Sequence, residues 1–230
     1  MKMKFWFAPI LVFGCTITAW GQQSAPLPTQ PADSGPTLAT TMQFIQEKLT
    51  EQGQFGWTET YSNRPDVTRR YVFNVADVMA DPGACTLYTT GTTDMTIDLQ
   101  KGKVLKQGFT LDDFRSHTVE TDTFSFKQIE KVTVEKLLDV QNQAFAEAAH
   151  PDLSATVTPI VFVVKLWASS PVFSEHTSTA QGKHAPVEKD ANKKWSGVVI
   201  RDEETANKVA KAMTHAMELC GGGVTKKELF

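Results

Sequence analysis

Two periodicities organise the chain. Leu38, Met42, Ile45 and Leu49 recur at helical spacing with Phe44 beside the stripe, which predicts a helix over about 37–52. Ser34 or Thr37 can cap its start and Gly53 can end it. The period then becomes two. FGWTETYS alternates up to the turn signal NRPD, and VTRRYVFNVADV puts Tyr71, Phe73 and Val75 on one face. DPG at 81–83 breaks the chain before CTLYTT, and after Gly91 the run DMTIDL sets Met95, Ile97 and Leu99 inward. QKGK reads as a hairpin turn with VLKQGFTL as its second arm. DTFSFKQIEKVTV reads as one more alternating strand, with Phe124 and Phe126 inward. Residues 135–149 fit either a short helix or a strand. ATVTPIVFVVKLWA is the most apolar strand, and Pro159 within it marks a bulge or an unpaired edge. Residues 174–194 are polar and aperiodic and read as a long exposed loop, and WSGVVI as the last strand.

The stretch AKAMTHAMELCGGG, residues 210–223, holds a histidine, a cysteine and three glycines in close succession. At about 100° per residue, Ala206, Val209, Ala210, Met213, Met217 and Cys220 fall on one helical stripe, with His215 nearly opposite its centre. His215 and Cys220 therefore do not share a metal. Asp202 caps this helix, and Glu203 and Glu204 occupy its favourable first turn. The glycines follow the helix, whereas a phosphate cradle needs them at its N-terminus, so Gly221 is read as a terminator.

These elements give an α+β fold. An N-terminal helix precedes an antiparallel sheet or partly open barrel of about seven strands, and a C-terminal helix packs on the sheet. The domain is expected over 37–223, with residues 22–36 as a flexible linker and 224–230 as a tail.

The N-terminus changes the picture of where the protein resides. MKMKFWFAPILVFG joins two lysines to an apolar run too short for a bilayer, and Ala19-Trp20-Gly21 suits a signal peptidase. Residues 1–21 are expected to be a signal peptide. LVFGC also fits a bacterial lipobox with Cys15 as the lipidated residue, so the protein is expected to be periplasmic or secreted, or an envelope lipoprotein. Losing Lys2 and Lys4 takes the formal charge from −3 to −5, which leaves no basic footprint for nucleic acid. Cys85 and Cys220 then remain. In an oxidising compartment an even, small number favours a disulfide, against two buried thiols that never meet.

Candidate chemistry is sparse. His117, His150, His176, His184 and His215 form no zinc-binding spacing, and no nucleophile elbow, phosphate loop or dinucleotide fingerprint occurs. His176 and His184 share the polar loop and could take an adventitious metal. Asp112/Asp113 and Glu120/Asp122 are candidate acid–base pairs, read as outward, solvated charge. Only one of Arg69 and Arg70 can face the core side. The strand aromatics, Trp57, Trp167 and Trp195 among them, read as core. No catalytic, cofactor-binding or metal-ligating residue is assigned. The expected function is a non-catalytic binding or envelope-associated module whose partner is an unknown protein or a small apolar ligand. The alternatives are a hydrolase-like enzyme and a carrier with an apolar cavity.

The segment DEETANKVAKAMTHAMELCGGG resembles the C-terminal helix of uncharacterised secreted bacterial proteins that end His-Ala-x-x-Leu-Cys. That resemblance implies export and no particular activity. The order of antiparallel strands followed by one amphipathic helix is similar to pleckstrin-homology-like folds, from which the leading helix and the long polar insertion depart.

Overall fold

The computed structural model describes residues 35–100, 110–147 and 154–223. The expected signal peptide with Cys15, most of the linker, the hairpin arm at 101–109, His150 and the tail 224–230 lie outside the described residues.

Helix α1 (Leu38–Thr50) opens the domain with Thr37 as its cap, the side chain accepting from Thr40 N–H. Four strands follow as a meander: β1 (Gln54–Tyr61), β2 (Arg64–Asp81), β3 (Thr86–Leu99) and β4 (Ser116–Ser125). Next come β5 (Lys131–Lys136), helix α2 (Leu137–Glu147), β6 (Ala155–Thr158) and β7 (Phe162–Trp167). The chain finishes with β8 (Phe173–Gln181), β9 (Val187–Lys193), β10 (Trp195–Ile200) and helix α3 (Glu203–Leu219). A seven-stranded sheet has the order β6-β1-β2-β3-β4-β8-β9, and a three-stranded sheet has the order β10-β7-β5. Among the described residues every pairing is antiparallel and the sheets do not close into a barrel, and the architecture is α+β.

Several expectations change. CTLYTT and DMTIDL belong to one strand, β3, which runs through Gly91. A Cβ there would meet the Phe73 ring at 3.0 Å, so the glycine makes room for a neighbour's aromatic. The run 122–134 divides at a short helical turn, Phe126–Gln128, into strands of different sheets. ATVTPIVFVVKLWA divides at Pro159 in the same way, into edge strand β6 and central strand β7. The supposed polar loop 174–194 is the β8–β9 hairpin at the sheet's edge. β9 is exposed along most of its length, which allows the polar run Glu188–Asp190 on both faces, so the segment shows no apolar alternation. Within 135–149, Glu135 and Lys136 end strand β5 and Leu137–Glu147 form helix α2.

The core lies between the helices and the sheets. Met42, Ile45 and Leu49 of α1 meet Val209, Met213 and Met217 of α3, with Leu87, Phe124 and Phe173 of the large sheet and Val164 and Leu166 of β7. A second cluster packs Trp57, Val157 and Val161 against Tyr71, Leu138 and Val199. Cys85, in the turn between β2 and β3, meets Cys220 at the C-terminus of α3 at disulfide distance, with alpha carbons 6.0 Å apart. Among the described residues no helix is long and apolar enough to cross a membrane.

The chain leaves α3 under tight constraint. Gly221 adopts φ +77°, Gly222 N–H donates to Met217 O and Gly223 N–H donates to Ile129 O at 2.8 Å. A Cβ on Gly222 would fall 3.0 Å from Ile129 O and closer still to Phe126 O. Gly222→Ala is expected to cost about 2 kcal/mol through this overlap, read as a lowered midpoint in urea.

Candidate functional site

Four polar assemblies arise from this frame. The first lies on the face of the large sheet that carries Phe124. Strand alternation puts Glu120, Asp122 and Phe124 on the same face of β4, and pairing aligns Asp122 with Glu175 of β8. Asp122 and Glu175 are buried, 6% and 7% exposed. Ser196 Oγ of β10 donates to Asp122 Oδ1 at 3.2 Å, and Lys193 pairs with Glu175. Ligand atoms of Glu120, Asp122 and Glu175 lie within 4.8 Å of one another, and among the described residues they are the one such group with room for a cation. The reading of Glu120 and Asp122 as solvated charge is thereby overturned. Burial, then the Asp122 charge, pushes the Glu120 carboxyl up to about 8, and burial, then Glu175, pushes Asp122 up to about 6. At neutral pH the cluster retains a proton. Glu120 and Asp122 border a cavity of about 70 Å³ shared with Leu49, Phe73, Val78 and Val198. That holds a few waters, far less than the few hundred Å³ typical of a small-molecule pocket.

The second assembly centres on Glu59, 1% exposed. Its carboxylate accepts from Trp57 Nε1 at 2.8 Å, from the Tyr61 hydroxyl at 2.5 Å and from Gln141 Nε2. The Arg69 guanidinium lies 4.7 Å from the Tyr61 ring centroid, while Arg70 turns out to Asp98 at 2.8 Å. Burial, then the hydrogen bond to Glu59, pushes the Tyr61 hydroxyl far up, so it acts as a donor. The network fastens α2 to β1, and its three donors satisfy the carboxylate.

The third is Lys165 in the middle of β7, 2% exposed. Its ammonium sits 4.1 Å from the Trp167 ring centroid and 4.6 Å from that of Trp195, with Glu135 Oε2 at 3.5 Å. Two indole faces and one carboxylate replace its hydration.

The fourth is a groove between β5 and α3 of about 480 Å³, lined by Val132, Val134, Ala210 and Thr214 with Asn207, Lys211, His215 and Glu218 around them. β5 ends its sheet, and among the described residues no strand pairs with its outer edge. Leu137 N–H donates to Val161 O across β7, and the alternation of antiparallel pairing then turns the peptide groups of Val132, Val134 and Lys136 outward.

The remaining candidates are local. Asp113 caps a single helical turn by accepting from Thr110 N–H at 2.7 Å and from its hydroxyl, which lowers its pKa. Asp112 pairs with Arg115. His117 bonds Asp94, and His215 Nε2–H donates to Pro36 O at 2.9 Å. His176 has one ring nitrogen 2.8 Å from Asp190 and the other 3.1 Å from Glu188, which raises its pKa and leaves neither nitrogen turned to a metal, and His184 is in the β8–β9 turn. Glu59, Glu175 and Lys165 were not singled out from the sequence. Comparison with protein-family models, curated proteins and solved structures gave no match.

Proposed function

We propose that the protein is an exported binding module that takes an extended segment of a partner protein as an added strand on β5, beside α3. The outward peptide groups of Val132, Val134 and Lys136 carry this reading, because an open strand edge next to an apolar-floored groove supplies both parts of strand-addition recognition. Main-chain hydrogen bonds give affinity there, and pockets for alternate side chains give selectivity. The two outer strands of the large sheet are less suited. β9 is exposed along most of its length and carries Glu188, Lys189, Asp190 and Lys193, and β6 is packed against α2. Export is supported by the juxtaposed Cys85 and Cys220 and by the leader-like N-terminus. The carboxylate cluster is the feature that speaks for an enzyme, and the small size of its cavity weighs against substrate access.

Selection of displayed heptapeptides on the immobilised protein tests this. Peptides with apolar residues at alternate positions are expected, and Val134→Pro should weaken them by about tenfold or more, because proline deletes an outward N–H that the β7 pairing does not use. Equal binding to Val134→Pro of unchanged melting temperature would overturn the reading, as would a selection that yields no binders.

A further inference from the structure

Resting on that reading, we infer that the strand added to β5 is β5 of a second copy of this chain, paired antiparallel about a twofold axis at Thr133. The usable edge is bounded at both ends. Gly223 N–H already takes Ile129 O at 2.8 Å, and the chain turns into α2 at Leu137. The free run is therefore 130–136, EKVTVEK, whose midpoint is Thr133. Two identical strands use the whole of such a run only when the axis passes through its midpoint.

In that register the run is complementary to itself. Lys131 faces the partner's Glu135, Glu130 the partner's Lys136, Val132 the partner's Val134, and Thr133 the partner's Thr133. Every charged contact joins opposite signs, and the twofold repeats each one. An axis at Val134 sets Glu135 against Thr133 and Lys136 against Val132, and an axis at Val132 sets Lys131 against Thr133 and Glu130 against Val134, so neither pairs the charges. The main chain agrees. The peptide groups of Val132 and Val134 turn outward, so these residues face each other as hydrogen-bonded pairs, with Thr133 on the axis as a non-hydrogen-bonded pair.

The side chains leave that charge to be met from outside. Lys131 and Lys136 are exposed and have no ion pair among the described residues. Glu135 is held on the edge strand by the Thr133 hydroxyl, which donates to Oε1 at 3.0 Å, and by Lys165 at 3.5 Å from Oε2. On the opposite face the partner's Val134 comes beside Val132 at the floor of the groove along α3. The contact is one strand wide, small against the roughly 1,600 Å² of a standard interface, so the dimer is weak and gives way to a better strand ligand.

Sedimentation velocity of the protein should show a monomer at about 1 µM and a growing share of dimer towards about 1 mM. Lys131→Glu, of unchanged melting temperature, should weaken the dimer at least about tenfold by setting like charges opposite each other. Glu135→Lys should do the same, and an equimolar mixture of the two variants should restore the dimer. If Glu135→Lys, which removes the carboxylate beside Lys165, fails to fold, Lys136→Glu mixed with Glu130→Lys makes the same test at the ends of the strand. Register is read by cross-linking. Thr133→Cys should give a disulfide-linked dimer on mild oxidation, because the axis brings the two side chains together, and Lys131→Cys, which lies away from its own copy, should not. A protein that stays monomeric throughout overturns the inference, as does a Lys131→Glu dimer of parental strength or equal cross-linking of the two cysteine variants. Displayed heptapeptides separate the two ideas. If the protein stays monomeric while selected peptides bind it and not Val134→Pro, the groove reading stands and the self-pairing fails. If neither a dimer nor peptide binding is seen, both fail.

Discussion

Replacing both Cys85 and Cys220 by alanine is expected to lower the unfolding free energy by about 5 kcal/mol, the chain-entropy value for a 135-residue loop. For a domain of this size that is a melting temperature lower by about 10–20 °C. The bridge joins the β2–β3 turn to the end of α3, so it ties the first long hairpin to the last helix and nearly every intervening element lies within its loop. Urea titrations of the oxidised protein and the double variant, with matched m-values, give the difference directly. A loss below about 1 kcal/mol would mean that the reduced ends are already held together by packing in the unfolded ensemble.

Raising the pH from 5 to 8.5 is expected to destabilise the protein by about 2–3 kcal/mol, and Glu120→Gln should remove most of that slope. A carboxyl whose folded pKa is raised binds a proton that the unfolded chain has released. For Glu120 the window runs from its ordinary 4.5 to about 8, and for Asp122 from 3.8 to about 6. Within these windows the unfolding free energy falls as pH rises, and below them the full contribution is present. Sharing of the retained proton among three carboxylates beside Lys193 keeps the total below the sum of independent sites. His176, with its pKa raised by Asp190, favours folding in the same direction, so the Glu120→Gln comparison is what isolates the cluster. The variant should match the parent near pH 5 and exceed it at pH 8.5 in urea melts. An unchanged slope in the variant would place the pH dependence elsewhere.

Both terminal helices were legible in the sequence because each buries one stripe. Met42, Ile45 and Leu49 in α1 and Ala206, Val209, Met213 and Met217 in α3 recur at the helical period, with Thr37 and Asp202 as caps. The division into two sheets was not legible. Residues 122–126 and 131–134 each look like a strand, and only the intervening Phe126–Gln128 turn sends them apart. The carboxylate cluster had a signal that went unused. Glu120 and Asp122 share parity with Phe124, so the face that sends Phe124 into the core sends them too. Glu175 shares parity with Phe173 of β8 in the same way, but reading 174–194 as an exposed loop hid the strand that sends both inward. The open edge of β5 is a property of sheet order, which no local pattern encodes.

Strand β1 pairs on one side with β2, a few residues away, and on the other with β6, where Thr58 faces Thr158. A nascent chain emerging from the ribosome can therefore zip β1 through β4 early, while both flanks of that meander stay bare until β6 and β8 have been made. Loop closure over such separations is slow, and bare flanks are templates for pairing between molecules. The yield of folded protein is thus set by how long the half-made meander is kept apart from its copies, which makes dilution and a holdase chaperone the levers on recovery.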